Sequence, residues 1–405
     1  MLPVTRDTAE AADERDAARA TVRVIATAFC AMTVLRHDGD PRLGRFSLGL
    51  LLPGMKESFD QGYAALGSLA SLNLGGYVLG VLAIPWLARW VPHLRLVRWG
   101  LYMATAGMLA AAFAPGLGVL AVAVTLTGLA GSFGWVSGVA SAVEVSTSRN
   151  RGRLLGIIAV ANGVGLVVAA GMAALVVDRA ADGWRLVWLG QGLLGAAGCL
   201  VALSMPIDRT RIATGRGRIR LRGLGLLAVG YGCFGLGAAW FTTYYIAGAA
   251  AQGQISQPLA WAAMGVGTIV GGVLGTVGDR WGHGLLLGVN QVSASAAATI
   301  MAIDAGNQML VVLAGFLFGT VMSGISALLP SVLATVIGPA QVANAFAGLT
   351  VVLAFGQIVA PPIGGLVLDH SVHGFTLLFT AAAVAFLASS LAFLGHRSRQ
   401  TPEHS

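Results

Sequence analysis

The chain has 405 residues, of which 56% are hydrophobic and only 10% are charged, and its mean hydropathy is +0.78. Water-soluble domains carry about 25% charged residues, so this composition excludes a soluble protein and indicates an integral membrane protein. The formal net charge of +8 does not indicate nucleic-acid binding, because the basic residues cluster in alternate segments between apolar runs.

A membrane-spanning helix needs about 20 apolar residues, and the sequence contains about twelve such runs. The runs are helical in length and do not alternate every second residue, which excludes a β-barrel. The predicted fold class is therefore all-α, with twelve transmembrane helices. The predicted spans lie near residues 24–55 (interrupted), 64–87, 97–114, 117–145, 154–177, 184–205, 223–247, 258–277, 284–303, 308–336, 341–368 and 374–395.

The first apolar run is interrupted by LRHDGDPR, residues 35–42, which contains two arginines and two aspartates. Joining residues 24–34 directly to residues 43–55 would give a span of 24 residues. Four charges facing lipid would cost roughly 10 kcal/mol, so the insert does not lie on a lipid-facing helix. Three explanations stay open: a polar bulge into a water-filled cavity, which we favour, a short first helix that excludes residues 24–34, or an error or decay in the sequence.

The basic residues predict the orientation of the chain. With a cytoplasmic N-terminus, 19 of the 25 Lys and Arg residues fall in cytoplasmic segments, three in outer loops and three in the first span. This bias follows the positive-inside rule, so both termini are expected on the cytoplasmic side of the inner membrane. The tail of residues 1–20 mixes acids with arginines and does not have the pattern of a signal peptide.

The chain divides into two halves that resemble each other. Six arginines mark residues 206–222 as a cytoplasmic linker between six-helix bundles at residues 21–205 and 223–396, and residues 397–405 form a second tail. VVDRAADGWRLVW in the first half and VLDHSVHGFTLLF in the second share an acid, four residues, a glycine and an aromatic residue. A repeat of this kind is typical of secondary transporters, whose substrate site lies between the halves near the bilayer midplane.

One loop carries a family signature. GTVGDRWG, residues 275–282, resembles the loop motif of the major facilitator superfamily, whereas the equivalent loop after the second span, ARWVPHLRLVR at residues 88–98, has no acid. Three further patches, at residues 44–55, 73–80 and 230–248, resemble spans one, two and seven of the YbfB/YjiJ-type branch. The resemblance implies two pseudo-symmetric six-helix bundles and transport by alternating access, but no particular substrate.

Arg45 is the sharpest candidate for a binding residue. A buried arginine costs about 2.5 to 3.5 kcal/mol on insertion scales, so it normally faces a cavity or a partner. Arg45 could pair with an anionic substrate or a titrating acid, or it could form a structural ion pair, and the sequence does not decide between these roles.

Apart from the aspartates of the insert at residues 35–42, Glu144 is the only acid inside a predicted span away from its outer edge. Proton coupling would need such a carboxylate with a raised pKa. The superfamily resemblance implies instead that Glu144 pairs with loop arginines and latches the inner side shut, and we favour this role. The predicted latch set is Arg89, Arg95, Glu144, Asp279 and Arg280.

Aromatic residues are concentrated in the seventh span. The superfamily resemblance implies that spans one, four, seven and ten line the cavity, which indicates a moderately apolar site. For Tyr244 and Tyr245, ordinary packing plus an aromatic belt at the outer surface is favoured over a place in the cavity. The predicted cavity residues are Arg45, Trp135, Ser137, Ser141, Tyr231, Phe234, Trp240, Ser323 and Ser326.

The sequence indicates a carrier rather than an enzyme or a pump. It has no phosphate-binding loop and no metal-ligand spacing, so we expect no cofactor and no catalytic residue. The expected partners are the lipid bilayer and a small organic molecule, and the chain is expected to be a monomer. Three hypotheses stay open: a proton-coupled transporter, an uncoupled facilitator, and a receptor or scaffold that has lost transport.

Overall fold

The structure, a computed structural model, describes residues 44–144, 151–176, 183–203, 224–253, 255–337 and 342–398. These residues form thirteen α-helices and no β-strand. In chain order the helices are α1 (Gly44–Phe59), α2 (Tyr63–Leu87), α3 (His93–Ala112), α4 (Leu117–Glu144), α5 (Arg151–Val176), α6 (Gly183–Leu203), α7 (Gly225–Gln252), α8 (Gln257–Gly271), α9 (Leu274–Trp281), α10 (His283–Ile303), α11 (Gln308–Ile337), α12 (Val342–His370) and α13 (Gly374–Ser398).

Each predicted span corresponds to a helix, except that the span predicted at residues 258–277 is divided into α8 and the short α9. At the break, the N–H groups of Gly272 and Val273 donate to carbonyls only three positions earlier, which is the tighter 3₁₀ pattern. Gly282 then ends α9 with a φ of +87°, a conformation that favours glycine. The acidic loop signature therefore lies on its own short helix.

The described helices are suited to a bilayer. Stretches of α2, α4, α7, α10, α11, α12 and α13 are long and apolar enough to cross a membrane. At one end of the bundle, Trp86, Trp90 and Trp281 are each more than 60% exposed, as expected for tryptophans at the boundary between lipid and water. The all-α integral membrane class predicted from the sequence is confirmed.

The first six helices and the last seven form two bundles with the same packing plan. In the first half, α4 packs against α2 and α3, and α3 packs against α6; in the second half, α11 packs against α8 and α10, and α10 packs against α13. The halves meet where α1 packs on α7, α2 on α12 and α5 on α8. A pseudo-twofold axis between the halves relates the contact of α2 with α12 to the contact of α5 with α8.

Glycines show the repeat at the level of single residues. A Cβ added at any of six glycines would lie 3.0 Å or less from a backbone atom of a neighbouring helix, so the close approach requires glycine. Each second-half partner lies 191 positions after its first-half counterpart, the displacement that also separates Asp178 from Asp369. The contacts are Gly76 to Thr125 and Gly267 to Phe316, Gly80 to Leu129 and Gly271 to Thr320, and Gly128 to Asn73 and Gly319 to Met264.

Part of the predicted organisation lies outside the described residues. The structure describes the first span only as α1, from Gly44 to Phe59, so the insert at residues 35–42 is not covered. The tail of residues 1–20 and the linker at residues 206–222 are likewise outside it. The proposed linker and tails therefore stay predictions.

Candidate functional site

The candidate site is the boundary between the two halves, where α1 crosses α7. A Cβ on Gly49 would overlap the carbonyl oxygen of Thr242 on α7 and lie 3.4 Å from that of Thr243. The displacement of 191 residues maps Gly49 to Trp240, which is two residues from Thr242, so the crossing lies close to the pseudo-twofold axis. The hydroxyl of Thr243 is completely buried and has no hydrogen-bond partner among the described residues.

A second cross-half contact depends on a proline in α12. Pro362 lies inside that helix and has no N–H, so the carbonyl of Ile358 loses its intrahelical donor. The hydroxyl of Ser71, on α2 in the other half, donates to this carbonyl at 2.6 Å. Inside a membrane a backbone carbonyl needs such a donor, so the hydrogen bond fixes α2 against α12.

The contact between α5 and α8 depends on paired glycines. A Cβ on Gly163 would lie 2.7 Å from the carbonyl oxygen of Gly265, and a Cβ on Gly265 would lie 3.0 Å from that of Gly163. Glycine at both positions therefore allows the two backbones to touch across the boundary between the halves.

At one end of the boundary, Asp369 of α12 caps the first turn of α2. The N–H of Tyr63 donates to Oδ1 of Asp369 at 2.9 Å, and the N–H of Ala64 donates to Oδ2 at 3.0 Å. The first N–H groups of a helix have no intrahelical acceptor, and a negative charge there is favourable. We call this interaction the Asp369 cap, and this end of the bundle the Asp369 end.

Tyr63 also joins the halves through its side chain. Its ring centroid lies 5.6 Å from that of Phe375 on α13 and 6.1 Å from that of Tyr244 on α7, in both cases nearly edge-on, a favoured aromatic geometry. The ammonium group of Lys56 on α1 lies 4.1 Å from the Tyr63 ring centroid, within the range of a cation–π interaction.

The predicted cavity residues on α7 lie in two environments. Trp240 is half-buried, and its Nε1–H donates to the carbonyl of Ala360 on α12 at 2.6 Å. Tyr231 and Phe234 are completely buried and stacked on each other, with ring centroids 6.2 Å apart. Among the described residues, Tyr231 also contacts the ring of Phe346 on α12 and Phe234 that of Phe386 on α13, which favours a packing role within the second half.

The predicted cavity residues on α4 include one isolated hydroxyl. Ser137 is completely buried, and its Oγ has no hydrogen-bond partner among the described residues. Trp135, two residues earlier, is half-buried against the apolar core. Ser141 of α4 and Arg45 of α1 have backbones inside their helices, but their side chains lie outside the described part of the chain.

The two predicted cavity serines on α11, Ser323 and Ser326, have surroundings formed by helices. The hydroxyl of Ser326 donates to the carbonyl of Met322 one turn earlier, at 3.1 Å. Ser323 is buried and lies 191 positions after Ser132, whose hydroxyl lies against Gly80 on α2. This correspondence favours a position for Ser323 between α8 and α11.

Tyr244 and Tyr245 are both completely buried. Of the two roles favoured from the sequence, packing matches this position, whereas an outer belt does not. The hydroxyl of Tyr244 donates to the carbonyl of Pro361 at 2.5 Å, and that of Tyr245 donates to the carbonyl of Val311 at 2.6 Å. Tyr245 therefore ties α7 to a neighbouring helix of its own half, whereas Tyr244 contacts both halves, because its hydroxyl also lies 3.3 Å from the carbonyl oxygen of Tyr63 on α2.

The predicted latch residues lie at the end of the bundle opposite the Asp369 cap. Arg89, Arg95 and Arg280 are exposed, and the side chains of Glu144 and Asp279 lie outside the described part of the chain. The dipeptide Arg-Trp occurs at 89–90 and again 191 positions later at 280–281, whereas the counterpart of Asp279 is Ala88. The latch stays a prediction.

Three residues at the boundary were not among those selected from the sequence as site residues. Ser71 could have been suspected only through the Pro-Pro pair in α12, which predicts free carbonyls but not their donor. Thr243 lies in a Thr-Thr pair between aromatic residues, which is only a weak indication of a site residue. Asp369 stood out in the internal repeat, but nothing in the pattern indicated that it caps α2.

Comparisons with solved structures identify the architecture. A bacterial homologue of the human lysosomal transporter Spinster, inward-facing and unoccupied, is 14% identical, with a TM-score of 0.64 over 96% of this chain and 99% of that chain. A point mutant of the nucleoside transporter NupG is 13% identical, with a TM-score of 0.70 over 95% of this chain and 100% of that chain. The occupied inward-facing Spinster homologue is 13% identical, with a TM-score of 0.69 over 96% and 97% of the two chains.

The sequence comparison assigns the family. Residues 42–393 match the family described as "Uncharacterised MFS-type transporter YbfB", and a search of curated protein sequences gives no significant match. The identities to the solved structures are low enough that those structures establish the fold alone. The chain belongs to the YbfB-type family of the major facilitator superfamily, and its twelve transmembrane helices have the fold of that superfamily's transporters.

Proposed function

We propose that this protein is a secondary transporter that moves a small organic molecule across the cytoplasmic membrane by alternating access. The observation that carries the proposal is the repeat: two bundles with matching contacts meet through α1 and α7, α2 and α12, and α5 and α8. Pseudo-symmetric halves of this kind can rock against each other around a site near the midplane. We further propose that the protein is a monomer. We also propose that both termini lie in the cytoplasm, which reporter fusions after Val372 and after Ser405 would test.

The proposed substrate site lies beside the crossing of α1 and α7. Its core is Trp240 from α7 and Trp135 and Ser137 from α4, with Arg45 and Ser141 contributing from α1 and α4, and the buried Thr243 hydroxyl joins it. Aromatic faces, hydroxyl groups and one cation suit a partly apolar molecule with an anionic group. Tyr231, Phe234, Ser323 and Ser326 belong to the surrounding shell, where they support the helices that present these groups.

A second candidate, an uncoupled facilitator, is favoured by the positions of the acids. Within the described residues, every Asp and Glu lies in a connection or near a helix end, at Glu57, Asp60, Glu144, Asp279, Asp304 and Asp369. A proton-coupled carrier would need a carboxylate that binds a proton from within the cavity. In the coupled alternative Glu144 takes that role, whereas in the facilitator it belongs to the inner latch with Arg89, Arg95, Asp279 and Arg280.

Flux measurements test these proposals. Purified protein would first be screened for ligands by thermal shift against a library of small organic anions, cations and neutral molecules. Uptake of the ligands found would then be measured in proteoliposomes with and without an imposed proton gradient. Flux that responds to the gradient supports coupling to H⁺, and flux that does not respond supports the facilitator.

Arg45→Ala tests the site itself, with Arg45→Lys as the control that keeps the charge. We expect Arg45→Ala to lose the preference for anions and Arg45→Lys to retain most of it. An unchanged anion preference in Arg45→Ala would remove Arg45 from the site. If no compound binds or moves, the receptor or scaffold alternative is favoured instead.

A further inference from the structure

We propose that Asp369 is the gating residue of the outer face. Its carboxylate holds the start of α2 against the end of α12, and so holds the halves together until the carrier opens outward. We call this function of the Asp369 cap the clasp. The inference rests on the alternating-access proposal above. With a cytoplasmic N-terminus, α2 begins and α12 ends on the outer side, so the Asp369 end is the outer face of the protein.

The cap joins the two halves rather than two neighbours in one bundle. Asp369 lies in the last turn of α12, and its two donors are 306 and 305 residues away in sequence, at the start of α2. The residue before α2 is Gly62, which has no side chain to cap the helix. The first turn of α2 therefore takes its acceptor from the opposite half, and separation of the halves exposes its N–H groups.

The backbones around the cap are in close contact. A Cβ on Gly62 would lie 2.7 Å from Oδ2 of Asp369, and a Cβ on Gly365 would lie 2.5 Å from Cα of Ala64. Real Cβ atoms do not approach other atoms so closely, so glycine at both positions is what permits the clasp. In this structure the outer ends of α2 and α12 are closed against each other.

Further contacts of α2 with α7, α12 and α13 continue the closure. The Tyr63 ring lies between Phe375 and Tyr244, and the Ser71 hydroxyl binds the Ile358 carbonyl about two turns further into the membrane. Opening of the outer face must separate these contacts together. The Asp369 cap is the outermost of them and the one that carries a charge.

The clasp is weak enough to break and re-form reversibly. Asp369 and Gly62 are exposed, so water can replace the carboxylate when the halves part. Loss of a helix cap typically changes an equilibrium about five-fold, which corresponds to about 1 kcal/mol. Two states that differ by a few kcal/mol can both be populated, as alternating access requires.

The test measures the distance across the outer face without the need for a known substrate. Cys30, Cys199 and Cys233 are replaced by Ser, and spin labels are attached at Gly118→Cys in the first half and Val372→Cys in the second. A Cβ at Gly118 meets no atom within 4 Å, and Val372 is 98% exposed, so the labels should not disturb the fold. Distance distributions are recorded by pulsed electron paramagnetic resonance in lipid nanodiscs.

Two variants weaken the clasp from opposite halves. We expect Asp369→Ala to raise the ratio of the long-distance to the short-distance population about five-fold. Gly62→Ala should shift the ratio in the same direction, because its methyl group displaces the carboxylate while the φ of −68° at this position suits alanine. The matched control is Asp304→Ala, since Asp304 is an acid at the same end that accepts an N–H from Gly306 within its own loop; its ratio should equal that of the wild type.

The outcomes separate this inference from the proposed function. If the wild type shows two distances and neither Asp369→Ala nor Gly62→Ala changes their ratio, the clasp is overturned while alternating access stands. If the wild type and all variants show one identical distance, both proposals are overturned. A shift in both variants but not in Asp304→Ala supports the clasp.

Discussion

At the scale of single residues, the most informative hydrogen bond is the one that a proline makes necessary. Pro362 removes an N–H from the interior of α12, and Ser71 of the other half supplies the missing donor to the Ile358 carbonyl. A helix that breaks its own hydrogen bonds in a membrane needs a neighbour to complete them. The defect in α12 and the serine in α2 are therefore parts of one interaction.

Ser71→Ala should destabilise the protein by about 1 kcal/mol, because the Ile358 carbonyl then has no donor. Pro362→Ala restores the backbone N–H, so the double variant Ser71→Ala/Pro362→Ala should lose less stability than the sum of the single variants. Unfolding in detergent by heat or by sodium dodecyl sulfate measures the cycle. If the stability change of the double variant equals the sum of the changes in the two single variants, Ser71 and Pro362 do not act on the same carbonyl.

At the scale of helices, the positions of the spans could be predicted from apolar runs, but their ends could not. α7 and α3 extend several residues beyond the predicted spans, because hydropathy detects only the part in lipid whereas a helix continues into the headgroup region. The break between α8 and α9 was also missed, since its Gly-Val sequence is compatible with a continuous apolar helix. The composition of a segment indicates whether it lies in lipid or in water, but not which backbone hydrogen bonds it forms.

The candidate site was harder to predict than the helices for a related reason. The hydropathy pattern marks Tyr231 and Phe234 as aromatic residues at helical spacing, but which neighbour they face depends on how α12 and α13 pack. Asp369 looks like a loop acid until α2 is placed beside it. The cross-half hydrogen bonds and glycine-backbone contacts join residues between 102 and 306 positions apart, and no local pattern encodes them.

The insert in the first span leads to a prediction at this scale. A chain without residues 35–42 has a continuous apolar segment that runs into α1, long enough to span a bilayer. We expect this variant to insert into the membrane as well as the wild type, measured by resistance to carbonate extraction and by the activity of a fused reporter. Loss of insertion would contradict the interpretation of the insert as a polar bulge.

At the scale of the whole molecule, the constant displacement of 191 residues means that the halves use the same contacts. Gly128 lies against the backbone of Asn73, and its counterpart Gly319 lies against the backbone of Met264. Backbone atoms cannot move aside as the end of a flexible side chain can. The repeat therefore predicts equal sensitivity at positions far apart in the chain.

Gly128→Ala and Gly319→Ala should each destabilise the protein by about 1 to 3 kcal/mol, because the added methyl group forces two helices apart. Gly171→Ala is the matched control, as a Cβ there meets no atom within 4 Å, and alanine in a helix interior is slightly stabilising. Thermal unfolding of the three variants in one detergent compares them. A large difference between Gly128→Ala and Gly319→Ala would contradict the equivalence of the halves.

The position of the Asp369 cap also determines how the carrier responds to the electric field across the membrane. Moving one elementary charge through a potential of 100 mV changes the energy by about 2.3 kcal/mol, but only if the charge travels along the membrane normal. Asp369 lies at an exposed helix end, and in the proposed opening its charge would move parallel to the membrane surface as α12 separates from α2. The outer face should therefore open as readily in an energised cell as in a depolarised one, and voltage would act on transport through the charges of the substrate and of any coupled ion.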